Sequence, residues 1–382
     1  MLNGGLGNDT LSGGDGIDTA NYFGSALGVK VNLALTVAQS TVGAGSDTLI
    51  DVENINGTGF DDQLTGSGAN NVLTGNGGVD ILNGGLGDDT LNGGQGIDTA
   101  SYAGGAAVMV NLGAAGPQNT VGAGFDTLTA IENLLGSSFG DTLTGNTAAN
   151  AISGGLGDDT LDGGAGSAAD TLDGGSGNDV LHGQVGDDLL IGGAGNDTLD
   201  GGAGTGDTIS YAGAGAGVGV TVNLGLAAAQ AVGGGQGTDT ISGVENVIGS
   251  IYGDTLTGSG VANGLTGGAG KDVLTGGGGN DRFVYLTTGD SVVGANADRI
   301  TDFAAGDILD LSAIDANANT TPTNEAFTQV GAFSNVAGQF TLAFDTGSNT
   351  TTLLGDTDGN GVADFSVLFT GDVTALTATW VL

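Results

Sequence analysis

Residues Gly75 to Ser101 read GNGGVDILN, GGLGDDTLN, GGQGIDTAS: three nonapeptides in succession, each opening on glycine and carrying aspartate sixth and an aliphatic residue eighth. A fixed short period of this kind marks a stacked-repeat architecture. Six turn-forming residues precede a three-residue strand. Alternate side chains of a strand face opposite sides, so the eighth residue points inward and its neighbours outward. A strand this short cannot stand alone. Two nonapeptides make one 18-residue coil with a strand on each face, and each coil buries its aliphatic residues by stacking on the next. The expected fold is all-β: a right-handed parallel β-roll or β-helix solenoid with a thin core of Leu and Ile.

The same pattern extends both ways. It opens the chain as GGLGNDTLS and GGDGIDTAN (Gly4 to Asn21), returns as a longer array from Gly154 to Ser210, and closes with GGAGKDVLT and GGGGNDRFV (Gly267 to Val284). Nineteen turns can be counted. Sixteen hold aspartate at the sixth position or, in the two turns with insertions, at its equivalent: Asp9, Asp18, Asp62, Asp80, Asp89, Asp98, Asp141, Asp159, Asp170, Asp179, Asp188, Asp197, Asp207, Asp254, Asp272 and Asp281. Three hold asparagine: Asn71, Asn150 and Asn263.

Stacking places aspartates 18 residues apart one above another, Asp80 under Asp98 and Asp179 under Asp197. A row of carboxylates about 5 Å apart repels strongly. A divalent cation between successive turns removes that repulsion, and carbonyls exposed by the glycine turns complete an oxygen shell suited to Ca²⁺. Multiple calcium sites are therefore expected at the sixteen aspartates. For the asparagine turns and the turns with insertions, filled and empty sites both remain open. One His and no Cys leave no donors for zinc or copper.

Composition supports this reading. Glycine contributes 82 of 382 residues and proline 2. Formal charge is −39, from 43 acidic and 4 basic residues, and all the acids but Glu53, Glu132, Glu245 and Glu325 are aspartate. Aspartate's short side chain suits turns and hard-cation ligation. No basic patch exists to bind nucleic acid or anchor on an anionic membrane. No apolar run is long enough for a transmembrane segment.

The repeats resemble the RTX (repeats-in-toxin) family, whose nonapeptide has this glycine and aspartate spacing. That resemblance implies a secreted, extracellular or cell-surface protein of a Gram-negative bacterium. Export would use type I secretion machinery and an uncleaved C-terminal signal.

A longer cassette occurs three times, at about 22–61, 102–140 and 211–253. Each copy begins with a strand pattern, GVKVNL, AVMVNL or GVTVNL, and continues through SDTLIDVENINGT, FDTLTAIENLLGS or TDTISGVENVIGS. Wider coils continuing the same roll are expected. Glu53, Glu132 and Glu245 recur at equivalent positions, either as part of a polar cap with the following Asn or as extra cation ligands. Tyr22, Tyr102 and Tyr211 also recur and read as amphipathic plugs at the coil entry.

The roll is expected to span 1–284. Beyond it, at 285–382, the period is lost. ADRITDFAAGDILDLSAID (Ala297 to Asp315) resembles the small β-rich C-terminal domain of serralysin-type secreted proteases. DTDGNGVAD supplies Asp356, Asp358 and Asn360 at the spacing of an EF-hand-type loop. Val367 stands where the closing Glu belongs, so a β-hairpin turn and a calcium site are both open. The apolar end LTATWVL is expected to pack as a cap.

No catalytic constellation is present. His182, the only histidine, sits at an outward position, and no zinc, cysteine or Ser-His-Asp set can be assembled. Two classes of function remain. One is a calcium-ordered structural protein of the surface-layer, matrix or adhesin type. The other is the non-catalytic module of a secreted protease, lipase or alginate epimerase. Met1 leads straight into a repeat, which fits a module joined to something upstream. The open coil end also suggests self-assembly into filaments or a lattice.

Overall fold

The computed structural model describes residues 1–215, 217–319, 325–377 and 380–381. It comprises two compact units, Met1–Asp188 and Leu189–Leu382. Both are β-rolls: short parallel strands joined by glycine turns. No helix among the described residues is long and apolar enough to cross a membrane.

In the first unit, Lys30–Asn32, Gln63–Ser67, Ile81–Gly85, Thr99–Ser101, Asn133–Leu135, Ala151–Leu156 and Thr171–Ser176 lie side by side in that order. Register is set by the eighth positions: Leu64 opposes Leu82, Leu82 opposes Ala100, Ala100 opposes Leu134, and Ile152 opposes Leu172. A one-residue slip would turn this whole row outward. The other face stacks Ala20, Ile55, Leu73 and Leu91. Leu64, Leu73, Leu82 and Leu172 are all 0% exposed, so the slab between the faces is dry.

The cassettes do more than widen a coil. In the first, Ser46–Ile50 closes the sheet begun by Thr10–Ser12 and pairs antiparallel with Gln39–Ser40. Lys30–Asn32 meanwhile opens a new sheet. In the second cassette, Phe125–Thr129 ends a face against antiparallel Gln118–Asn119, and Met109–Asn111 starts another. One face is thus replaced while the other runs through. The cause is local: the antiparallel partner occupies the edge where the next parallel strand would add.

In the second unit, Leu190, Ile209, Val247, Leu265, Phe283 and Leu309 form one continuous row. The parallel ladder runs on past Val284. Asp298–Ile300 pairs with Val273–Thr275, and Phe365–Thr370 pairs with Asp298–Ile300. Gln339–Asp345, Thr350–Asp356 and Phe365–Thr370 form an antiparallel meander. Trp380 is buried against Phe303, Phe340 and Phe369. Of the expected cap LTATWVL, residues 378, 379 and 382 lie outside the described residues.

Candidate metal centre

Each turn places its aspartate where the strand begins, and successive aspartates are linked through the backbone. The N–H of Asp62 donates to Oδ1 of Asp80 at 2.8 Å, and the N–H of Asp80 donates to Oδ1 of Asp98 at 2.8 Å. The link repeats from Asn71 to Asp89, Asp141 to Asp159, Asp159 to Asp179, Asn150 to Asp170 and Asp170 to Asp188. In the second unit it runs from Asp254 to Asp272 and from Asn263 to Asp281. Carboxylates that sequence spacing places one above another are thus stacked by a hydrogen bond through Oδ1.

The other oxygen is left over. Oδ2 of Asp9, Asp80, Asp89, Asp98, Asp159 and Asp272 is buried and accepts no hydrogen bond. A bare buried acceptor, and above all a charged one, is costly. Burial, reinforced by neighbouring carboxylates, pushes Asp80, Asp89, Asp159 and Asp272 up to about 7. The same causes raise Asp170 and Asp281 to about 6.

The first glycine of the turn faces this oxygen. A methyl group on Gly75 would overlap both Asp80 Oδ2 and the carbonyl oxygen of Gly93, one coil on. Gly163 faces Asp170 Oδ2 and the Gly183 carbonyl in the same way. Glycine is therefore required to leave a small space bounded by a carboxylate and a carbonyl. Orphaned carboxylate oxygens, an all-oxygen donor set and a space kept free of side chain fit a hard divalent cation such as Ca²⁺.

Not every turn is built alike. Asn71, Asn150 and Asn263 donate through Nδ2 to the carbonyls of Glu53, Glu132 and Glu245 at 2.5, 2.6 and 2.7 Å. Their Oδ1 atoms accept the N–H of Ser67, Asn146 and Ser259. An amide supplies the donor a carboxylate lacks, so these turns are satisfied by protein alone.

The turns that close the cassettes are also satisfied. Asp62 accepts from the N–H and hydroxyl of Thr58 and from the N–H of Val29. Asp141 is held likewise by Ser137 and Val108, and Asp254 by Ser250 and Val220. The signal was readable: a hydroxyl residue replaces the second glycine.

Several ladder members do not belong to nonapeptides. Asp47, Asp126 and Asp239 accept the N–H of Asp9, Asp89 and Asp197. Glu53, Glu132 and Glu245 do so for Asp18, Asp98 and Asp207. Asp298 and Asp307 accept from Asp272 and Asp281. At Asp47, Asp126 and Asp239 the spare oxygen takes the hydroxyl of Tyr22, Tyr102 or Tyr211. Thr41 and Thr120 add a second hydroxyl to Asp47 and Asp126. The recurring tyrosines are therefore donors to buried carboxylates as well as plugs. Burial and the adjoining aspartate push the pKa of each tyrosine well up, which keeps the hydroxyls protonated.

The Asp356 loop is the turn between two antiparallel strands. Asp356 is fully buried and accepts the N–H of Gly359 and Gly361. Carboxylate oxygens of Asp356, Asp358 and Asp364 lie within 4.8 Å of one another. Asn360 turns to Asp358 and the N–H of Val362, so Asp364, unnoticed in the sequence, is the third acid of the group.

Comparison with known proteins falls on the same turns. The family model for the RTX calcium-binding nonapeptide repeat matches residues 1–20, 56–91, 65–100, 135–168, 166–199, 173–207 and 248–283. A 90-residue stretch, 23% of this chain, is 42% identical to metallopeptidase AprA of Pseudomonas marginalis. The match spans 17% of that relative's length. The matched repeats coincide with the stacked carboxylates in both units, and these stretches of the chain carry RTX calcium-binding nonapeptide repeats.

Proposed function

We propose that this chain is a secreted extracellular structural protein, of the surface-layer, matrix or adhesin kind, that folds when calcium arrives. The observation that carries the reading is the set of buried Oδ2 atoms without a donor. Bare, these carboxylates oppose burial and one another, so the chain stays open where calcium is scarce. Extracellular calcium modules bind at about 10⁻⁴–10⁻³ M. At ten times Kd, each site would add about 1.4 kcal/mol to folding, and several coupled sites would supply an ordinary domain's stability. The sites proposed are the nonapeptide aspartates whose spare oxygen faces the first glycine.

The same reading assigns 1–284 to the roll and 285–382 to a serralysin-like C-terminal domain that carries a type I secretion signal. Circular dichroism in EDTA and in millimolar Ca²⁺ tests it. A β signal that rises strongly with calcium is expected; equal signals in both would overturn it. Negative-stain microscopy with calcium would show filaments or sheets if coils add end to end.

The stretch similar to a metallopeptidase favours a second reading: a non-catalytic module of a secreted enzyme. An in-frame catalytic domain in the upstream coding sequence would decide for it.

A further inference from the structure

The cassette glutamates stand where the ladder needs a new kind of rung. In a plain turn the first glycine faces its own aspartate and a glycine carbonyl one coil on, as Gly75 does. Beyond Gly93 the next coil is a cassette, and no nonapeptide glycine is available. The carbonyl there belongs to Ala130, and Gly93 faces it together with Asp98 Oδ2. Ala130 is held at φ +50°, a left-handed conformation that disfavours any residue with a Cβ. Two residues on, Glu132 reaches the rung, its Oε2 accepting the N–H of Asp98 at 2.8 Å.

The other cassettes repeat the arrangement. Gly13 faces the Asp51 carbonyl and Asp18 Oδ2, Asp51 has φ +49°, and Glu53 accepts the N–H of Asp18 at 2.8 Å. In the second unit Gly201 faces the carbonyl of Gly243, which has φ +60°, and Glu245 accepts from Asp207. Asp, Ala and Gly thus adopt one unusual backbone conformation at equivalent points. What they share is a carbonyl turned toward the preceding turn. Asp98 Oδ2 is aimed into the same space, is fully buried and has no hydrogen-bond donor.

We propose that each cassette holds a Ca²⁺ ion at this seam, ligated by Glu53, Glu132 or Glu245, by the carbonyl two residues before it, and by Asp18, Asp98 or Asp207. The proposal rests on the calcium reading above. A glutamate that only capped an N–H would leave the turned carbonyl and the buried Asp98 oxygen without purpose.

Bound calcium counted by native mass spectrometry on the full chain tests it, with circular dichroism to verify folding. E132Q keeps an acceptor for the Asp98 N–H but loses the charge. It is expected to bind one ion fewer than the unmodified chain, and E53Q/E132Q/E245Q three fewer. Should E132Q fail to fold, E53Q and E245Q repeat the test at the other seams. An unchanged count and affinity in any folded variant overturns the seam sites and leaves the plain-turn sites standing. No bound calcium in the unmodified chain overturns both.

Discussion

Plain turns and cassettes treat the same problem, a buried aspartate with one spare oxygen, in different ways. In the plain turns Asp80 and Asp89 keep that oxygen bare and glycine clears space before it. On one face of each cassette, Asp47, Asp126 or Asp239 receives a tyrosine hydroxyl instead. At the cassette exits, threonine or serine does the work, and asparagine brings its own donor. The difference separates a surface that depends on its solution from one that is complete in itself. A roll of plain turns alone would have no coil able to persist without metal.

The largest effect should come from removing calcium. In EDTA at neutral pH the plain arrays should lose strand signal, and hydrogen exchange should find the longest-lived protection around Asp47, Asp126 and Asp239. Uniform loss across both regions would erase the distinction.

Acid should partly replace the metal. The plain-turn carboxylates have folded values raised to about 7 at Asp80 and Asp89. A raised carboxylate value means the folded state binds more protons than the unfolded one. Its favourable contribution is full below about pH 4 and lost as pH rises through about 7. In EDTA, β signal should therefore be greater at pH 5 than at pH 8, as a pH series by circular dichroism would show.

Core truncation should act regardless of region. Leu82 is 0% exposed between Leu64 and Ala100, and Leu82→Ala should cost about 2–5 kcal/mol in calcium-saturated denaturation. Asn71→Asp turns a self-satisfied rung into a bare one. With a second acceptor facing the Glu53 carbonyl, it should cost about 1–3 kcal/mol and raise the calcium midpoint for folding. The smallest effect is expected from Tyr102→Phe. Asp126 retains Thr120, so the loss is near 1 kcal/mol or about that of one hydrogen bond, visible as a lower Tm in calcium.

Much of this was legible from period alone. The nonapeptide gave the roll, the inward Leu row and the pairing of Asp80 with Asp98, because position in a regular turn determines direction. The cassettes were harder. Their strands were evident from GVKVNL and its copies, but ending one sheet and opening another depends on an antiparallel strand of only two residues, Gln39–Ser40. No periodic signal survives in so short a piece. Asp47 and Asp126 look like ordinary strand residues until folding brings a tyrosine some 25 positions away onto their spare oxygens. Asp364 was hidden because a β-hairpin, not a helix-flanked loop, sets which acids meet.

The exchange of one face at each cassette bears on how such a chain can lengthen. Each cassette closes a sheet behind it and starts another ahead. A duplicated block of cassette plus array would therefore bring its own starting edge and its own ending edge. Neighbouring registers would need no adjustment, and the core row on the uninterrupted face would simply gain members. Growth by copying, an error that ruins most folds, is accommodated here by strands that know where to stop.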